Sequence, residues 1–222
     1  MSFSRGLKAK SIKVWEEGYN HPFVQELGQG ILDKEKFKFY LLQDYLYLIQ
    51  YSKVFATAAV KSDTEELMTR FTKMQYFILA NEMELHRSYM AEFGITKEEA
   101  AGVKSSLYNR TYTANMLAIG HTSGLAELLA TVFPCAWTYS DWARSLKKQY
   151  ADKLGSNPYK SWIEMYASDD FAESFEWFYD TLDNLTANMT DAQRNNIADI
   201  FISSVEFEYL FWDMAYKQQM SY

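Results

Sequence analysis

The chain of 222 residues sets 22 Lys and Arg against 29 Asp and Glu, a formal charge of −7, and is 48% hydrophobic and 17% aromatic with only 9 Gly and 3 Pro. So much apolar material with so few helix breakers excludes a disordered chain. The acidic balance argues against nucleic acid or an anionic membrane as partner, because both demand a basic face.

Composition does not shift along the sequence, so one domain over 1–222 is expected. The first twenty residues carry Arg5, Lys8, Lys10, Lys13, Glu16 and Glu17 and hold no secretory apolar core. No window approaches the ~18 apolar residues of a membrane span. One cysteine, Cys135, cannot close an intramolecular disulfide or build a cysteine zinc cage, which suits a reducing cytoplasm. A cytoplasmic location is the expectation.

In chain order, apolar positions Phe3, Leu7, Ile12, Val14 and Trp15 predict an opening helix over 2–20, ended by Gly18 and the Asn20-His21-Pro22 break. A short helix from Pro22 to Leu27 follows. Asp33 has the form of an N-cap, launching a long helix to about Ser62, and Thr64 caps the next, which runs to Gly94 to complete a helical hairpin. Thr96 with Glu99 forms a capping box for a short helix stopped near Gly102. Another helix is expected from about Lys104 to Ile119, with Gly120 to Gly124 as connector. A helix from Leu125 to Leu154 then carries Cys135, and Pro158 suits the first position of its successor. Ser168, and Thr190 with Gln193, read as caps of helices over roughly 169–188 and 191–218. No stretch alternates with period two, so the fold class is all-α.

Three places put unusual chemistry on these helices. In Phe133-Pro134-Cys135-Ala136-Trp137-Thr138-Tyr139, a proline inside a helix collides with the carbonyl of Ala130, so the helix is expected to kink or break just before Cys135. A lone cysteine is ordinarily a small buried apolar residue. Here Tyr139 follows one turn later on the same face, putting a phenol beside a thiol. Phe37, Tyr40, Asp44, Tyr47 and Tyr51 form a second stripe. Such an aromatic stripe is ordinarily core, but an aspartate within it needs a specific partner or a ligand. The third is Glu208, inside the apolar series Phe201, Val205, Phe211, Trp212 and Ala215, while Glu206 faces elsewhere. Burial there would raise the carboxyl toward the range useful for proton transfer; the plain alternative is an exposed residue at the edge of the stripe.

Glu82 and His86, four residues apart, read as a structural hydrogen-bonded pair. None of His21, His86 and His121 has a glutamate three residues before it, as a di-iron bundle requires, and His21 ahead of Pro22 reads as a helix-terminal residue rather than a haem ligand. No glycine loop to cradle phosphate is present. One thiol, two carboxylates on apolar faces and the tyrosines Tyr47, Tyr51, Tyr112, Tyr139 and Tyr166 suit covalent chemistry without a metal.

Pro134-Cys135-x-Trp137-x-Tyr139, Gln43-Asp44-x-x-Tyr47, Pro158-Tyr159-x-x-Trp162-x-x-x-Tyr166 and Glu208-x-x-Phe211-Trp212 together resemble the TenA, or thiaminase II, family in order and spacing over essentially the full chain. That resemblance implies a haem-oxygenase-like helical bundle, assembly as a homotetramer, and hydrolysis at the methylene of a 4-amino-2-methylpyrimidine without cofactor. It implies Cys135 as nucleophile and Glu208 as proton donor to the leaving group. Asp44 would hold the aminopyrimidine and Tyr47 would raise the reactivity of the thiolate. Tyr139 and Tyr166 would bind the ring, with Tyr112 and Phe211 lining the pocket. Phe133, bulkier than expected before the proline, would bear on the pocket floor and on substrate preference. The competing readings are a non-catalytic regulator or pyrimidine-binding protein that keeps the pocket, and an oxygenase or cofactor-synthesis enzyme on the same fold.

Overall fold

The computed structural model describes residues 2–221, and these form helices and turns with no strand among them. Two compact units are distinguished: one takes in the chain up to Leu32 and Leu129–Asp213, the other Asp33–Leu128 and the chain from Met214 on.

Three short helices open the chain: α1 (Phe3–Lys10), α2 (Ile12–Tyr19) and α3 (Pro22–Gln29). The single helix expected over 2–20 is divided at Ser11. Its buried hydroxyl donates back to the Leu7 and Lys8 carbonyls, at 2.9 and 3.2 Å, and competes there with regular helical pairing. Pro22 begins α3, and the His21 ring caps it by accepting from the Phe23 N–H at 3.1 Å. Gly30 ends it in the left-handed conformation, φ 75°, which costs glycine little.

The second unit is built on α4 (Lys34–Val60), α5 (Glu65–Phe77), α6 (Met83–Glu92), α7 (Lys97–Gly102) and α8 (Leu107–Thr122), with α5, α6 and α8 all packed on α4. Asp33 caps α4 and Thr64 caps α5, forming the expected hairpin. The return arm is not the one helix expected to Gly94: a π turn at Ile78–Glu82 separates α5 from α6. One residue inserted into a helix rotates everything beyond it by about 100°, and this places Met83, His86, Tyr89 and Met90 on the buried face of α6. The Thr96–Glu99 capping box closes in both directions, at 2.8 and 3.1 Å. Helix α8 starts later than expected because Ser106, not a residue near Lys104, caps it, and it continues to Thr122 into the expected connector.

Next come α9 (Leu125–Gln149), α10 (Lys160–Tyr166), α11 (Asp169–Thr186) and α12 (Asp191–Lys217), the first unit taking them from Leu129 to Asp213. Helix α9 runs unbroken through Pro134, contrary to a break before Cys135. Proline inside a helix costs about 3 kcal/mol, and the burial of Ala130, Val132 and Phe133, all 0% exposed, opposes that cost. The Phe133 ring anchors the turn through edge contacts with Phe178 and Tyr179 of α11 and with Phe201 of α12, at 5.5, 4.6 and 5.8 Å. Helix α9 ends five residues before Leu154. Pro158 does not open α10, which begins at Lys160 after Asn157 has turned the chain by accepting from the Tyr159 N–H at 2.8 Å. Ser168 caps α11, and Thr190 and Gln193 cap the start of α12 reciprocally.

Candidate functional site

On α4 the stripe Phe37, Tyr40, Asp44, Tyr47 and Tyr51 is buried along its whole length. Tyr47 stacks on Tyr51 at 5.2 Å and tilts against Tyr112 of α8 at 5.3 Å; its hydroxyl lies 4.0 Å from the Met116 sulfur. Asp44, 4% exposed, has the partner its position demands. His86 Nε2 lies 2.5 Å from Asp44 Oδ2, and the Tyr40 hydroxyl donates to the same oxygen at 3.2 Å.

The expected hydrogen-bonded pair of Glu82 and His86 is present, and it runs through the Glu82 backbone. His86 Nδ1 bonds the backbone carbonyl of Glu82 at 3.0 Å, one helical turn back, and the ring's other nitrogen goes to α4. Burial is the largest influence on the imidazole and works against its charged form. The hydrogen bond and charge of Asp44, followed by Glu82, outweigh it, and the His86 pKa is raised above the ordinary histidine value. Sequence reasoning missed this partner because His86 belongs to another helix; the usable signal was an unpaired aspartate and a histidine, both on apolar faces.

In the other unit Cys135 is half-buried on α9, one turn ahead of the buried Tyr139. The Tyr139 ring meets Tyr166 of α10 edge-on at 4.9 Å and tilts against Trp162 and Trp212 at 5.8 and 5.2 Å. Glu208 is 2% exposed on α12, which removes the alternative of a residue at the stripe's edge, and Glu206 is exposed as expected. Phe211, one turn on, is buried too. Not every residue of the motifs belongs to this aromatic group. Trp137 donates its indole N–H to Asp141 at 2.5 Å and lies 4.9 Å below the Lys8 ammonium, and Tyr159 donates its hydroxyl to the Leu32 carbonyl at 2.6 Å. Both hold helices together.

His21, with one ring nitrogen capping α3 and the other 3.6 Å from Asp213, is a helix-terminal residue, as its place before Pro22 suggests. Among the described residues no group of three or more His, Cys, Asp or Glu could hold a metal ion, and no helix is long and apolar enough to cross a membrane.

Thus Asp44, His86 and Tyr40 form one group and Tyr47, Tyr51 and Tyr112 a second beside it on α4, while Tyr139 and Tyr166 share an aromatic nest with Trp162 and Trp212. The chain is 38% identical to an aminopyrimidine aminohydrolase of Halalkalibacterium halodurans, covering 99% of this chain and 98% of the relative. It is 39% identical to another of that name from Helicobacter pylori, over 98% and 100%. Among solved structures, a TenA homologue from P. horikoshii OT3 superposes with a TM-score of 0.87 at 27% identity, covering 98% of this chain and 99% of that one. A domain from Shewanella denitrificans OS217 described as having a heme oxygenase-like fold superposes with a TM-score of 0.77 at 17% identity, covering 96% and 92%, so the fold is the haem-oxygenase-like helical bundle. The family model described as TENA/THI-4/PQQC matches residues 9–218, and with relatives this similar over their full length the chain belongs to the TenA family.

Proposed function

We propose that the protein is an aminopyrimidine aminohydrolase of thiamine salvage, converting 4-amino-5-aminomethyl-2-methylpyrimidine and water to the hydroxymethylpyrimidine and ammonia, and cleaving thiamine to the same product and the thiazole. The observation that carries this reading is the near-full-length similarity to two proteins named for that activity. An intact thiol on α9 and a buried carboxyl on α12 add to it, since a protein that only bound pyrimidine would need neither.

In this reading the Cys135 thiolate adds to the pyrimidine ring, and Tyr47 raises its reactivity. The aminomethyl nitrogen leaves as ammonia with a proton from Glu208, water adds at the methylene and returns a proton to the Glu208 carboxylate, and expulsion of the thiolate restores the ring. Asp44 accepts a hydrogen bond from the ring's amino group, Tyr139 and Tyr166 hold the ring, and Tyr112 and Phe211 line the site. The enzyme works as a cytoplasmic homotetramer with no cofactor; light scattering tests the assembly.

The deciding experiment incubates pure protein with each compound and quantifies hydroxymethylpyrimidine. Release from the aminomethyl compound is expected; release from neither compound would leave a pyrimidine-binding protein. Cys135→Ser is expected to fold normally and to lose well over tenfold in kcat, because a hydroxyl lacks thiolate nucleophilicity. Retention of more than about a tenth of the wild-type rate would end the covalent mechanism.

A further inference from the structure

The carbonyl of Glu82 can only accept a hydrogen bond, so His86 Nδ1, 3.0 Å away, must carry a hydrogen. That fixes the ring. Nε2 then faces Asp44 Oδ2 at 2.5 Å with a single proton between them, and the Tyr40 hydroxyl converges on the same oxygen. Both contacts are to Oδ2 and neither is to Oδ1. The aspartate is gripped from one side.

The grip depends on the π turn. Its last residue, Glu82, supplies the bracing carbonyl, and the extra residue at Ile78–Glu82 rotates α6 by about 100° relative to a continuous helix. Position 86 thereby meets α4, against which α6 packs. Insertions of this kind recur at functional sites because the rotation redirects a side chain without ending the helix.

We propose that His86, braced by the Glu82 carbonyl, is the positioning residue for Asp44, holding Oδ2 so that Oδ1 is presented to the amino group of the bound pyrimidine. This rests on the role given to Asp44 above. The ionisable groups that act on His86 are Asp44 from α4, to which Tyr40 also donates, and Glu82 from the π turn, and the two carboxylates favour the imidazolium. While the ring is charged it donates to Oδ2. Once the ring loses its proton, a lone pair faces Oδ2 and the carboxylate is no longer held.

The test is the KM and kcat of the purified full-length chain on the aminomethylpyrimidine from pH 5.5 to 9.5, for wild type, His86→Gln and His86→Leu. Wild type should show KM rising toward the alkaline side. His86→Gln supplies a donor that does not titrate, so KM should stay within about threefold of wild type at acid pH and lose the alkaline rise. His86→Leu removes a hydrogen bond to a charged group and should raise KM about tenfold or more, with a smaller effect on kcat. A folded His86→Leu with wild-type KM throughout, or a His86→Gln that keeps the alkaline rise, overturns the proposal; if His86→Leu does not fold, His86→Gln decides alone. Wild type without activity would overturn the functional reading only, and 15N NMR of His86 then decides. A ring protonated at Nδ1 that titrates above ordinary histidine, and falls in Asp44→Asn, supports the grip; a titration indifferent to Asp44→Asn overturns it.

Discussion

Asp44 and Glu208 are both acidic side chains on 27-residue helices with aromatic neighbours in sequence, and both are almost fully buried, at 4 and 2% exposure. Their settings differ. Asp44 is met by an imidazole and a phenol from its own unit, while Glu208 is flanked along its face by Val205, Phe211 and Trp212, all buried. Under the roles proposed above, Asp44 serves as the acceptor for the pyrimidine's amino group and Glu208 as the donor of a proton to the leaving group. On that reading the same functional group carries two tasks.

Replacing each acid by its amide separates the tasks. With Glu208 as the proposed proton donor, Glu208→Gln keeps the shape and removes the donor, so kcat on the aminomethylpyrimidine should fall by about 10² to 10⁴, the span of general acid catalysis. The thiazole of thiamine departs neutral without that proton, so the loss on thiamine should be smaller. Kinetics on both substrates across pH read the difference, and an equal loss on the two would place Glu208 before leaving-group departure.

Asp44→Asn should act on affinity first. The amide is a weaker acceptor, and KM for both substrates should rise by about ten- to a hundredfold, the worth of a hydrogen bond to a charged group. Unchanged kinetics on both compounds would return Asp44 to a structural role.

The smallest effect is on stability. His86 has a folded pKa above its unfolded value, so the stabilisation from its pairing with Asp44 is fully present below about pH 6.5, the ordinary histidine value, and is lost as pH rises through the raised folded pKa. The Tm difference between wild type and His86→Gln should therefore be greatest at acid pH and shrink toward alkaline pH. In an Asp44→Asn background the trend should disappear. A difference that grows with pH would mean that the ring is buried neutral.

Features that depend on neighbours in sequence were legible: the caps at Asp33, Thr64, Thr96 and Ser168, the hairpin, and the burial of the stripe around Asp44 all follow from local hydrogen bonding and helical period. What escaped depends on partners far along the chain. The break at Ser11 follows from a burial that makes its hydroxyl turn back on its own helix. The π turn leaves no compositional mark, and the pairing of His86 with Asp44 across helices depends on it. Pro134 does not end its helix, because the ring contacts of Phe133, which the sequence does not show, oppose the loss of one backbone bond.

The aromatic nest has a further consequence, in light. Trp15, Trp142, Trp212 and Trp162 follow one another at ring separations of 6.5, 6.1 and 6.2 Å. Indoles this close exchange excitation faster than they emit, so a photon absorbed by any of the four is shared by all. Tyr139 lies 5.2 Å from Trp212 and 5.8 Å from Trp162, beside the last two members of that relay. If Tyr139 holds the ring as proposed, a bound pyrimidine would dim or shift the emission of the whole group, and the protein would report that occupancy without a label.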